Sequence, residues 1–392
     1  MKNFTRYLLV LLFSIGCSSH SSQLSDEISF DPNTNDIIQL SAFVEDVEFV
    51  NLEFSRESMI ENIDCAYYFE DKYIIADKRN AVIMIFDNKG KFISKINRKG
   101  RARNEYLSLD EVRFDEKNGQ IIIYDAKLEK FLYYTLDGNC TKICEIKGKN
   151  DRFFTDIINL PNGNFLCYSY IHGNASGQPK TDGVCEMTAE GEIIKWYWTS
   201  ELVHPTQTPN YTLSYNPQGE LSILCLEMDA DMVFENEEVK IVADYKPQGN
   251  VAADFSGISN AEYSGWLNGE YFNSRFYACN MGQYIFSRWW GNKRGSEYYT
   301  LYDTRNNKII VGREVDYQLA NGKSVLPGHI FPKSKQTRIL PAVSNLKDVV
   351  IVPISHSVLL SEKYTMQTKA ILGEISPEES NPVLQIWRLK KF

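Results

Sequence analysis

Short apolar runs alternate along this chain with Gly- and Asn-containing turns, and no long helical period interrupts them. The turns read Asn88-Lys-Gly90, Asn118-Gly119, Asp137-Gly138, Pro161-Asn-Gly163, Asp182-Gly183, Pro217-Gln-Gly219, Asn268-Gly269 and Asn321-Gly322. Strand-favouring runs bounded by such pairs predict hairpins. The 23 Tyr and 21 Phe residues favour sheet as well. The pattern also repeats. IIADKRNAVIMIFDNKGKF starts at Ile74 and IIIYDAKLEKFLYYTLDGNC at Ile121, so that Asp77 aligns with Asp125 and Gly90 with Gly138, 48 residues apart in both cases. Each copy predicts a strand ending in Asp, a short connection, a second strand, a Gly turn and a third strand. A period of about 40–50 residues built from three or four strands predicts blades that stack face to face around a channel.

Later copies are looser. Asn164–Tyr170 with Glu186–Tyr197 predicts a third blade, with a polar insertion around Gly173–Asp182. Leu221–Glu227 with Val239–Tyr245 predicts a fourth, and Tyr284–Trp290, Glu297–Asp303 and Lys308–Glu314 a fifth. Val349–Pro353 with Val383–Leu389 predicts a sixth. Ser256–Gly282 falls outside the period and reads as an extended loop or inserted hairpin. The expected fold is an all-β, six-bladed β-propeller, with seven tight blades as the alternative.

The N-terminus follows a different plan. Lys2 and Arg6 precede an apolar run from Tyr7 to Ile15, and small Gly16 precedes Cys17. That is the layout of a bacterial signal peptide ending in a lipobox, with Cys17 as the lipidated first residue of the mature chain. A run of about nine residues is too short to span a membrane, which takes roughly 20. The expected organisation is a signal peptide over residues 1–16, a flexible tether over 17–34 and one propeller domain over 35–392. Lipid would be its membrane attachment, at the outer membrane, on the periplasmic or the outer face.

A net charge of −9 and a pI near 5.3 argue against nucleic acid as a partner, since phosphate binding calls for a basic face. Of the eight cysteines, seven remain if Cys17 carries lipid, so they cannot all pair internally. Buried free thiols, or one or two disulfides, are the readings left open. Cys140 and Cys144, four apart on one predicted strand, lie about 13 Å from each other, too far for a disulfide.

Several segments resemble one family: IIQLSAFVEDVEFVNLE (37–53), YIIAD, VIMIFDNKGKFISKI, GRARNEY (100–106) and NPVLQIWRLK (381–390). Together they resemble the six-bladed β-propeller lipoproteins of gut-type Gram-negative bacteria. The resemblance implies an NHL-like propeller in which a segment within Ile37–Leu52 pairs with Val383–Leu389 to close the ring. The family's GxGPGEY-like turn reads Gly100-Arg-Ala-Arg-Asn-Glu-Tyr106 here, without the Pro and the second Gly. If that turn shapes a ligand site, then Arg101, Glu105 and Tyr106 belong to it; otherwise it is a connector between blades.

No GxSxG, HExxH, GxxxxGKS/T or EF-hand pattern is present, and the five histidines are scattered. Asp77 and Asp125 read as acceptors for the backbone of the following turn. Ser287-Arg-Trp-Trp-Gly-Asn-Lys-Arg294 is the most ligand-like stretch. Adjacent tryptophans on a strand point to opposite faces, so one of Trp289 and Trp290 can be exposed near Arg288 and Arg294. An indole face suits the C–H face of a sugar, and guanidinium groups suit hydroxyls or carboxylates. The expectation is a non-catalytic binding or scaffold protein for a glycan or an envelope protein, without a cofactor. The alternative is a calcium-assisted propeller enzyme, a lyase or lactonase acting on saccharides.

Overall fold

In the computed structural model, the described residues are 26–34, 36–146, 152–171, 182–200, 211–215, 221–225, 230–235, 238–248, 274–281, 283–291, 297–326, 329–330, 337–338, 348–359, 369–373, 376 and 380–390. They form six blades. Blade 1 runs through Cys65–Phe69, Lys72–Asp77, Val82–Asp87 and Phe92–Ile96. Blade 2 follows with Glu111–Asp115, Gln120–Asp125, Lys130–Thr135 and Cys140–Glu145. Blade 3 comprises Arg152–Asn159, Phe165–Ile171, Asp182–Met187 and Ile193–Ser200. Blade 4 comprises Tyr211–Tyr215, Leu221–Cys225, Ala230–Glu235 and Glu238–Pro247. Blade 5 comprises Ser274–Met281, Tyr284–Trp290, Glu297–Asp303 and Lys308–Asp316. Blade 6 has Val349–Ile354 and Val383–Leu389 and takes Val44–Asn51 as its third strand.

Burial explains why the middle strands read as continuous apolar runs. In Lys72–Asp77, Tyr73 and Ile75 pack towards blade 6, while Ile74 and Ala76 pack towards blade 2. In Gln120–Asp125, Ile121 and Ile123 face blade 1, and Ile122 and Tyr124 face blade 3. Alternate residues of one strand thus serve two inter-blade cores. Both faces are covered, so the period-2 polar signal of a half-exposed strand disappears. At the hairpin ending Val82–Asp87, Gly90 has φ of +82° and sits against Asn51. A Cβ there would lie 2.2 Å from the Asn51 carbonyl oxygen, so only glycine fits.

The ring closes by pairing Val44–Asn51 antiparallel with Val383–Leu389, within the two segments the sequence picks out. Buried Asn381 fastens the seam: its Nδ2 donates to the Glu53 and Ser58 carbonyls, each at 2.8 Å, and its Oδ1 accepts from the Ile60 amide at 2.8 Å. Two further strands precede the closure. Asp26–Phe30 adds parallel to Glu238–Pro247 of blade 4, and Asp36–Gln39 adds parallel to Lys308–Asp316 of blade 5. The folded body therefore includes residues 26–34, which the polar run assigns to the tether. Ile28 and Phe30 alternate into the core, but two apolar positions in five residues are too few to stand out of a polar segment. Ser274–Met281, expected within an insertion, is the inner strand of blade 5. The signal peptide, Cys17 and the first part of the tether lie outside the described residues.

Candidate functional site

Strand direction alternates within each blade. The turn after the second strand therefore lies at the same end of the ring as the start of the next blade's inner strand. The repeated acids sit there. Asp77 accepts from the Glu61, Asn62 and Asn80 amides, and Asp125 from the Leu107, Lys127 and Leu128 amides. Each fixes its own turn and the link into its own blade, as the sequence reading has it. Asp64 and Asp110 repeat a second such contact, accepting from the Lys78 and Ala126 amides at 2.8 Å each.

Beside these turns, four ionisable side chains form a row across blades 1 to 3. Lys78 Nζ lies 3.1 Å from Glu111 Oε2, Arg113 3.6 Å from Glu111 Oε1 and 2.9 Å from Asp156 Oδ1. Their side chains keep between 10% and 28% of their surface exposed, so the row is partly wet. With all four ionised the signs alternate and sum to zero, which presents donors and acceptors together without a strong net field. A β-bulge builds one end. Asp156 and Ile157 together oppose Cys167, and Asp156 takes φ of +49°. Such bulges re-aim a side chain, here the Asp156 carboxylate onto Arg113.

Burial pushes Asp156 up to about 7, with the Glu111 carboxylate adding to the rise and Arg113 opposing it. Burial would raise Glu111 too, but Lys78 and Arg113 together hold it below the usual carboxylate range. A carboxyl raised in the fold binds protons that the unfolded chain has released, so its contribution to stability falls as pH rises from about 4 to about 7. Glu111, shifted the other way, acts only below about pH 4.5. Asp156→Asn should therefore flatten the loss of stability across that window. Urea midpoints at about pH 5, 6 and 7 check this, and parallel trends in the two proteins would contradict it.

The Gly100–Tyr106 turn is built for its own shape. The Glu105 carboxylate accepts from the Ala102 amide at 2.8 Å and fills the space that a Cβ on Gly100 would need. Tyr106 is fully buried; its hydroxyl lies 3.0 Å from the Ile96 carbonyl, 3.1 Å from the Ala81 carbonyl and 3.3 Å from the Arg98 amide. Glu105 and Tyr106 thus hold a connector between blades 1 and 2, while Arg101 and Arg103 project into solvent. The second expected group divides likewise. Trp289 is buried, stacked on Tyr298 at 5.9 Å and donating to Thr300 Oγ1 at 3.0 Å. Arg288 is also buried and pairs with Glu297 at 2.9 Å. Neither Trp289 nor Arg288 reaches the surface: Trp289 faces blade 4, where Phe30 and Tyr245 pack on it, while Arg288 lies on the opposite face of the strand, paired with Glu297 of the neighbouring third strand. Trp290 is the exposed indole, at 42%, and its register opposite Ser274 places it at the same end of the ring as Lys78. Arg294 lies outside the described residues.

Lys78, Glu111, Arg113 and Asp156 were not foreseen as a group. The available signal was Glu111-Val-Arg113 in an inner strand, two opposite charges on one strand face, with Lys78 following a repeated Asp. Among the described residues, no group of three or more His, Cys, Asp or Glu side chains is placed to hold a metal ion.

A family model described as a domain of unknown function, DUF4934, matches residues 26–388. A Bacteroides fragilis protein provisionally named an exported protein superposes with a TM-score of 0.68 at 17% identity, covering 93% of this chain and 100% of that one. A member of the DUF4221 family from Bacteroides vulgatus superposes with a TM-score of 0.53 at 11% identity, covering 88% of this chain and 98% of that one. No curated protein matches the sequence. At such identities the superpositions speak for the fold alone.

Proposed function

The chain belongs to the DUF4934 family, and on that footing we propose that it is an exported, lipid-tethered binding propeller for a polar ligand of saccharide type. The observation that carries this reading is the partly wet, charge-balanced row Lys78, Glu111, Arg113 and Asp156, with Asp156 aimed by a left-handed bulge residue. Alternating donors and acceptors suit hydroxyl groups better than they suit an ion of either sign. The exposed Trp290 at the same end of the ring adds a flat apolar face of the kind that sugars stack on. Arg101 and Arg103 flank the same end as solvent-exposed cations. The basic n-region, apolar run and Cys17 support export and lipidation.

The test is a thermal-shift screen of residues 22–392 against oligosaccharides, with calcium and with EDTA. A ligand at about 100 times its dissociation constant should add roughly 2.7 kcal/mol of stability. A shift that is insensitive to EDTA and is reduced in both Asp156→Asn and Trp290→Ala supports the reading. A shift that requires calcium points instead to a metal-assisted enzyme. No shift with any saccharide contradicts the saccharide class.

A further inference from the structure

Among the described residues the cysteines at 65, 140, 144, 167, 185 and 279 are free thiols, and one pair of them is in contact. Cys167 and Cys185 lie directly opposite each other on the second and third strands of blade 3, with their Sγ atoms 3.6 Å apart. Both are fully buried in the core between blades 2 and 3, among Phe165, Met187 and Phe154. Directly opposed residues of an antiparallel pair have Cβ atoms about 4.5–5.5 Å apart, and a disulfide wants about 3.5–4.5 Å. A shift of the order of 1 Å joins them.

The ladders on either side provide that slack. The bulge at Asp156 and Ile157 lies opposite Cys167 on the first strand of the blade, and the register slips again between Val184 and Cys185 towards the fourth strand. Each strand of the pair is thus anchored irregularly at the position where it would have to move. Burial pushes the Cys167 thiol well above its ordinary range, which slows exchange once the blade has folded. Closure therefore belongs to folding, before the core is sealed.

We propose that Cys167 and Cys185 form a disulfide across blade 3 when the chain folds in the presence of a disulfide oxidant. In the exchange, a thiolate of one cysteine attacks the oxidant's disulfide and releases one carrier thiol. The second thiolate then displaces the other carrier thiol, so that two electrons and two protons pass to the carrier. A thiol oxidoreductase or a small-molecule disulfide serves equally as that carrier. In a cell the oxidant depends on the export reading above; in a redox buffer the pairing does not.

The experiment refolds the full chain in a glutathione redox buffer, quenches with acid, alkylates under denaturing conditions and maps peptides by mass spectrometry. The expected result is one cross-linked peptide pair holding Cys167 and Cys185, with Cys65 and Cys279 alkylated. Reduction should then lower the melting temperature by roughly 4 °C, the effect of opening a loop of 18 residues in a chain of this length. Full alkylation of Cys167 and Cys185 after refolding overturns the proposal, as does pairing of either one with another cysteine. A Cys167→Ala, Cys185→Ala protein that folds, yet loses no melting temperature on reduction, confirms that the shift comes from this bond. Pairing in the redox buffer alongside reduced thiols in protein from cells supports the proposal and tells against export.

Discussion

Arg275→Met should cost about 3–5 kcal/mol of stability, measured as a shift in the urea midpoint, without touching the wet row of blades 1 to 3. Arg275, near the start of the inner strand of blade 5, forms an ion pair with Asp231, near the start of the third strand of blade 4, and both side chains are fully buried. The Tyr245 hydroxyl donates to the other Asp231 oxygen at 2.6 Å, and the Arg275 guanidinium lies over the Tyr245 ring at 4.9 Å. This joint binds one blade to the next. Removing the cation leaves Asp231 charged in a dry interface with one hydroxyl donor, which is the expensive way to break a buried pair. The double replacement Asp231→Leu with Arg275→Met removes both charges and should recover most of the loss. A single mutant that costs under about 1 kcal/mol would mean that water reaches the pair. Lys78 with Glu111 repeats the arrangement between blades 1 and 2 with the signs reversed. Because that pair is partly exposed, its loss should cost much less.

The second large effect separates the adjacent tryptophans. Trp289→Ala should lose about 3–5 kcal/mol, since the indole packs against Phe30, Tyr245 and Tyr298 with ring centroids between 5.5 and 5.9 Å. Phe30 belongs to the N-terminal strand on blade 4, so this variant should also loosen that strand. Trp290→Ala should cost far less, because the residue is 42% exposed where Trp289 is fully buried. Urea unfolding of the two variants measures both values. Equal losses would contradict the assignment of one indole to the core and the other to the exposed end of the strand.

The blade plan was legible because it is written in turns and spacing: Gly90 and Gly138, Asp77 and Asp125, and apolar runs bounded by them. Closure of the ring was legible through the family-like first and last segments. The residues of the site were less so. Trp289 and Trp290 look alike in sequence, and only their placement against blade 4 and the third strand of blade 5 tells which is covered. Glu105 and Tyr106 look like ligand contacts, but Glu105 accepts from an amide of its own turn and the Tyr106 hydroxyl bonds carbonyls of blade 1. The charged row escaped notice because its members come from three blades. Asp156, moreover, reaches it through a bulge, which strand alternation does not anticipate. The strand Asp26–Phe30 was hidden by the polar residues around it.

The measurement that bears most directly on the proposed binding role is hydrogen exchange by mass spectrometry, with and without the oligosaccharide giving the largest thermal shift. New protection should concentrate in residues 78–81, 107–113 and 154–158, around Lys78, Glu111, Arg113 and Asp156. Protection confined to the hairpin turns at Gly90 and Gly138, at the opposite end of blades 1 and 2, would contradict a site on this row.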